Sequence, residues 1–87
     1  MTDEEYGRAW CERNGKRPDY CPHATLPPWR WTCHDGPACG LPRKLYYSLG
    51  HPTRYATESA AYAEVGATLR ELERQAEDIR AVLEGGK

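Results

Sequence analysis

Only ten of the 87 residues are Leu, Ile or Val, and none is Phe. So little aliphatic material lies well under the ~20% below which strongly charged chains stay disordered. Two features oppose disorder here. The net charge is only −1, and three Trp and six Tyr supply bulky apolar surface that disordered tails lack. Aromatic rings must therefore build much of the core. Even then, a chain this short obtains no more than ~3–5 kcal/mol from a core alone, and the usual reinforcements are disulfides, a structural metal or oligomerisation. Four Cys and three His make the first two available.

Compartment decides between bridge and metal. The opening Met1-Thr2-Asp3-Glu4-Glu5 has neither the basic segment nor the apolar run of a secretory signal. No apolar stretch approaches the length of a membrane span. The expectation is a cytoplasmic protein with no membrane partner, and in a reducing cytosol clustered Cys and His read as metal ligands rather than as a disulfide framework. The alternative is a processed secreted chain whose four Cys pair in one of three ways.

The pattern along the chain predicts one small α+β domain, 1–87, stabilised by zinc. A short N-terminal helix spans 2–15. Thr2 and Glu5 have capping-box spacing, Asp3 to Glu5 favour the positive end of the helix dipole, and Asn14-Gly15 is a stop signal. Tyr6 and Trp10, four apart, share a face that docks the helix on the rest of the chain. From 16 to 50 the sequence turns to Pro, Gly, aromatics, Cys and His, which reads as a loop and hairpin region. Trp29-Arg30-Trp31-Thr32 alternates like a strand, Asp35-Gly36-Pro37 is a turn, and Leu45-Tyr46-Tyr47-Ser48-Leu49 suggests a second strand.

A long amphipathic helix over 57–84 closes the chain. Tyr62, Val65, Leu69, Leu72, Ala76, Ile79 and Leu83 recur at alternating spacings of three and four, the seam of a helix that pairs lengthwise with another. Thr57 is the N-cap and Gly85-Gly86 the stop, which gives ~27 residues and ~40 Å at 1.5 Å per residue. A second stripe, Ala56, Ala60, Ala63 and Ala67, predicts close backbone approach in the N-terminal half.

The metal candidates are Cys11, Cys21, His23, Cys33, His34, Cys39 and His51. Zinc takes four N or S donors in a tetrahedron, usually from two short loops joined by a longer connection. Cys21-Pro22-His23 offers one pair, and Pro22 bends the chain so that both side chains converge. Cys33 and Cys39 offer the other, on a loop closed by Gly36-Pro37. One structural zinc held by Cys21, His23, Cys33 and Cys39 is the leading assignment. Cys11 either replaces His23 or is a free buried thiol under the first helix. His34 reads as an outer hydrogen-bonding partner or an exposed side chain, and His51, before Pro52, as exposed.

Charge is unevenly distributed. Between Arg8 and Arg54 eight bases face three acids, and between Tyr55 and Glu84 seven acids face three bases. The two parts either attract each other or serve different surfaces. The leading functional expectation is a protein-interaction module, a regulator, adaptor or inhibitor, whose long helix meets a protein partner or a second copy through Leu69, Leu72, Ile79 and Leu83. The alternative is nucleic-acid binding through the basic aromatic segment 29–54, where Trp29, Arg30, Trp31, Arg43, Lys44, Tyr46, Tyr47 and Arg54 interleave charge with rings. No paired carboxylates, phosphate loop or nucleophile elbow point to an enzyme.

Overall fold

The computed structural model describes residues 1–50 and 54–84, the stretch 77–84 as helical backbone only. It is an α+β fold of three helices and one small antiparallel sheet. In chain order the elements are α1 (Asp3–Asn14), β1 (Asp19–Tyr20), β2 (Trp29–Arg30), α2 (Arg43–Ser48), β3 (Arg54–Tyr55) and α3 (Glu58–Glu84).

Both ends of α1 form as their local chemistry dictates. The Glu5 N–H donates to the Thr2 hydroxyl, and the Glu5 carboxylate accepts from the Thr2 N–H, a complete capping box. Gly15 ends the helix at φ +67°, where its N–H reaches the Cys11 carbonyl. At the start of α3 the Thr57 hydroxyl accepts from the Ala60 N–H at 3.1 Å. The stop expected at Gly85-Gly86 lies outside the described residues.

The two helices run antiparallel. Asp3 bonds Arg70 at 2.9 Å, Tyr6 donates to Glu73, and Arg8 stacks over the Tyr62 ring at 4.3 Å. They touch at Gly7 and Gly66: a Cβ on Gly7 would meet the Gly66 nitrogen at 2.7 Å, and one on Gly66 would meet the Gly7 nitrogen at 2.8 Å. The approach expected from the alanine stripe is thus made elsewhere, because Ala56 and Ala60 are exposed and Ala63 and Ala67 only half-buried. A Cβ holds backbones apart, and glycine allows a closer crossing than alanine.

The sheet has the order β1-β2-β3. Its register sets Asp19, Arg30 and Arg54 in one cross-strand row and Tyr20, Trp29 and Tyr55 in the next. Adjacent rows point to opposite faces, so the first carries the ionic groups and the second leads from exposed Tyr20 to buried Tyr55.

Leu45 to Leu49, expected as a strand, lies in and just beyond α2. Leu41, Leu45 and Leu49 recur every four residues, and all three are buried, at 0%, 4% and 7% exposure. A strand would set Tyr47 on the same face as these leucines, whereas the helix turns it outward, 60% exposed. The Arg43 N–H at its start donates to the Asp35 carboxylate at 2.7 Å. The core joins these leucines to Cys11, Trp31, Tyr55, Ala61, Tyr62, Val65 and Leu69, with Tyr6, Trp10, Trp29, Tyr46 and Leu72 packed around it. Trp31 also donates its indole N–H to the Ala61 carbonyl at 3.2 Å, fastening the sheet region to the first turn of α3.

Candidate functional site

The most constrained loop of the cysteine region follows β2. Cys33 forms an isolated parallel bridge with Leu41, supported by His34 N–H to the Leu41 carbonyl at 2.8 Å and Leu41 N–H to the Thr32 carbonyl at 2.7 Å. Few apolar side chains hold the stretch between them, and a buried ammonium does so instead. Lys16, only 8% exposed, donates to the carbonyls of Gly36 at 2.9 Å and Ala38 at 2.7 Å. A buried charge is tolerated where carbonyl dipoles take over from water. The end of α1 therefore pins this loop, and the Arg17 N–H adds a 3.4 Å bond to the Cys39 carbonyl.

Pinning the loop opens a cleft of about 490 Å³ beside it, lined by Arg17, Asp19, Cys33, His34 and Cys39 among others. Two of the four expected ligands, Cys33 and Cys39, share this cleft and are exposed. The other two stand on the turn after β1 and line no part of it. Cys21 is half-buried, its N–H donating to the Pro28 carbonyl at 2.7 Å and its carbonyl accepting from Arg54 at 2.9 Å. His23 is exposed. Among the described residues, no three His, Cys, Asp or Glu gather into a group able to hold a metal ion.

The histidine hydrogen bonds bear on ligation. The His23 Nδ1 accepts from the Thr25 N–H at 3.2 Å, and the His34 Nδ1 accepts from the Gly36 N–H at 2.9 Å. A backbone N–H only donates, so in both rings the proton sits on Nε2. Either ring would have to give up this bond, or move its proton, before ligating a metal.

Cys11, the alternative ligand, lies in the core at 1% exposure, and burial pushes its thiol pKa up to about 12. It is a protonated apolar group at neutral pH. All four cysteines are free thiols. His34 is exposed, and His51 lies outside the described residues.

The α3 seam divides. Leu69 is closed into the chain's own core at 8% exposure, Leu72 packs against that core half-buried, and the side chains of Ile79 and Leu83 lie outside the described residues. Beside Leu72 runs a groove of about 360 Å³ lined by Ser48, Ala67, Thr68, Glu71, Leu72 and Gln75.

The basic aromatic segment is largely engaged inside the molecule. Trp31 is buried, and Trp29 and Tyr46 pack on the core. Arg30 is held by Asp19 at 2.9 Å, Arg43 sits 3.4 Å from Asp35, and Arg54 is spent on the carbonyls of Cys21 and Pro27. The hydrogen bond to Asp19, then nearby Cys21, raises the Arg30 pKa. Tyr20 and Tyr47 keep more than half of their surface exposed, at 58% and 60%.

Sequence reasoning missed Lys16 as the loop's pin and Arg17 and Asp19 as cleft residues. A Lys after a helix stop has no distinguishing pattern until its carbonyl partners are known. Among the described residues no helix is long and apolar enough to cross a membrane. No family model, curated protein or solved structure matches the chain, so its function is read from its own residues.

Proposed function

We propose that this protein is a small interaction module, stabilised by one zinc ion, that presents the distal part of α3 to a protein partner. The observation carrying this reading is a mismatch of lengths. α1 has 12 residues and α3 has 27, so α1 reaches ~18 Å along a helix of ~40 Å. Because they run antiparallel, α1 is used up where Asp3 and the Met1 carbonyl meet Arg70 and Tyr6 meets Glu73. Past that point α3 continues to Glu84. The sequence keeps an apolar seam there, Leu72, Ala76, Ile79 and Leu83, with Arg74, Glu77 and Asp78 between its members. Each Leu or Ile withdrawn from water is worth ~1.5–3 kcal/mol, a strong drive to pair in a chain so poor in aliphatics.

Zinc supplies the rigidity this platform needs. Cys33 and Cys39 on the pinned loop would hold the ion with Cys21 and His23, once the turn after β1 moves to the cleft and His23 releases Thr25. Bound zinc contributes an apparent ~10–16 kcal/mol at neutral pH, which the small core cannot match. Its place is structural: it would fasten the two loops while α3 does the binding.

The test joins elemental analysis to affinity capture. The native protein should carry one zinc per chain, lost in Cys21→Ser, Cys33→Ser or Cys39→Ser and kept in Cys11→Ser. Ile79→Glu with Leu83→Glu should abolish partner capture while zinc and the far-ultraviolet spectrum stay unchanged. Zinc-free native protein removes the metal from the account, and undiminished capture by the double variant removes the helix.

A further inference from the structure

The charge division of the sequence is not consumed inside the molecule. The bases of the middle region pair with its own acids, Arg30 with Asp19 and Arg43 with Asp35. The α3 acids pair within α3 or with α1, as Glu71 with Arg74 and Glu58 with Arg8. Among the described ion pairs, only Arg8–Glu58, at 3.9 Å, joins a base of the Arg8–Arg54 stretch to an α3 acid.

The two charges also lie at opposite ends of the helix pair. Lys16 at the close of α1 pins the loop that carries Asp35, and Arg43 follows that loop. The basic residues thus gather where α1 ends and α3 begins. Arg17 and Lys44 are exposed there, and neither side chain enters a described ion pair. At the other end α3 outruns α1, with Glu71 and Glu73 exposed and Glu77, Asp78 and Glu84 following in sequence against Arg74 and Arg80. The basic end thus keeps Arg17 and Lys44 outside the described ion pairs, and the distal sequence of α3 carries more acids than bases.

We infer that the protein associates head to tail with a second copy of itself, the acidic distal part of α3 in one copy lying against the basic end of the next. This rests on the reading of α3 as an interaction helix and names its partner. The complementary surface is supplied by the chain itself, so no further partner is needed to neutralise either end. Both surfaces belong to every copy and they differ, so the contact is heterologous and propagates unless a ring closes. Exposed charges attract through water only within a Debye length, ~10 Å at 0.1 M salt. Assembly should therefore depend strongly on ionic strength.

Sedimentation velocity on the full chain provides the test. At ~20 mM salt the protein should form species larger than a monomer, and at ~500 mM it should sediment as a monomer. Arg17→Glu with Lys44→Glu should be monomeric at both, as should Glu77→Lys with Asp78→Lys. Mixed one to one, these two variants should assemble again at low salt, since the acidic head and tail of one meet the basic tail and head of the other; this also proves both folded. A native protein that is monomeric at both salts overturns self-association but leaves capture of another protein to be judged by Ile79→Glu with Leu83→Glu. Undiminished assembly of Arg17→Glu with Lys44→Glu overturns the head-to-tail geometry in favour of α3 pairing with α3.

Discussion

Gly66→Ala places a methyl carbon on top of the Asp3 carbonyl oxygen, 2.7 Å from its carbon and 2.8 Å from the Gly7 nitrogen. Ordinary non-bonded carbon contacts are ~3.5–4.0 Å, so α1 must withdraw by about 1 Å or more. The obstacle is backbone on both sides, and no side chain can swing away to relieve it. Overpacking of this kind costs ~1–3 kcal/mol and sometimes more. Replacing a mid-helix Gly by Ala returns ~1 kcal/mol through helix propensity. Withdrawal of α1 also stretches the 2.9 Å Arg70–Asp3 bond and loosens the cover over Cys11. The net expectation is a loss of ~1–2 kcal/mol, or ~4–16 °C in Tm for a domain of this size. Thermal and urea unfolding followed by circular dichroism and Trp fluorescence measures it, with Ser59→Ala on the exposed first turn of α3 as the control expected to be silent. A Gly66→Ala protein more stable than the native one by the helix-propensity gain would refute backbone contact between the helices.

Lys16→Met should release the Gly36 and Ala38 carbonyls, cost ~1–3 kcal/mol, and speed iodoacetamide alkylation of Cys33 and Cys39 in the folded protein; unchanged labelling would mean the loop is held by something else. Cys11 should label only on unfolding. Its folded pKa of about 12 exceeds the ordinary 9.0, and burial likewise raises Tyr55 from 10.0 to about 12, its hydroxyl lacking a partner among the described residues. The folded state holds both protons more tightly, so their contribution is whole below pH 9 and fades as pH climbs from 9 towards 12. Alkaline unfolding should thus begin near pH 9 and shift upward in Cys11→Ala, whereas coincident midpoints would contradict a titrating core thiol. Single-stranded DNA or RNA should be held weakly or not at all at physiological salt; tight retention lost in Arg43→Ala with Lys44→Ala would move the function to the basic aromatic segment.

The parts legible in the sequence are those set by local chemistry. Thr2, Glu5 and Gly15 define α1 through hydrogen bonds within a few residues, Thr57 does the same for the start of α3, and the need for rings in the core follows from the missing aliphatics. α2 was hidden because Tyr46 and Tyr47 favour strands, while the Leu41-Leu45-Leu49 stripe fits one face of either element and crosses Pro42, which resembles a break. The Gly7–Gly66 crossing was hidden because each glycine, taken alone, is a weak helix former with no sign of what approaches it. At the candidate site, Cys33 and Cys39 were legible as neighbours across a turn. Lys16 was not, because its partners are carbonyls 20 and 22 residues away, and carbonyls have no residue type.

Native mass spectrometry of the full chain beside Ile79→Glu with Leu83→Glu tests the central claim most directly, reading metal content and assembly in one spectrum. The account predicts a native protein with one zinc per chain that assembles at low ionic strength, and a variant that keeps its zinc and its compact charge-state distribution. A variant that instead sheds zinc and unfolds would contradict it, because the distal seam of α3 would then belong to the protein's own core.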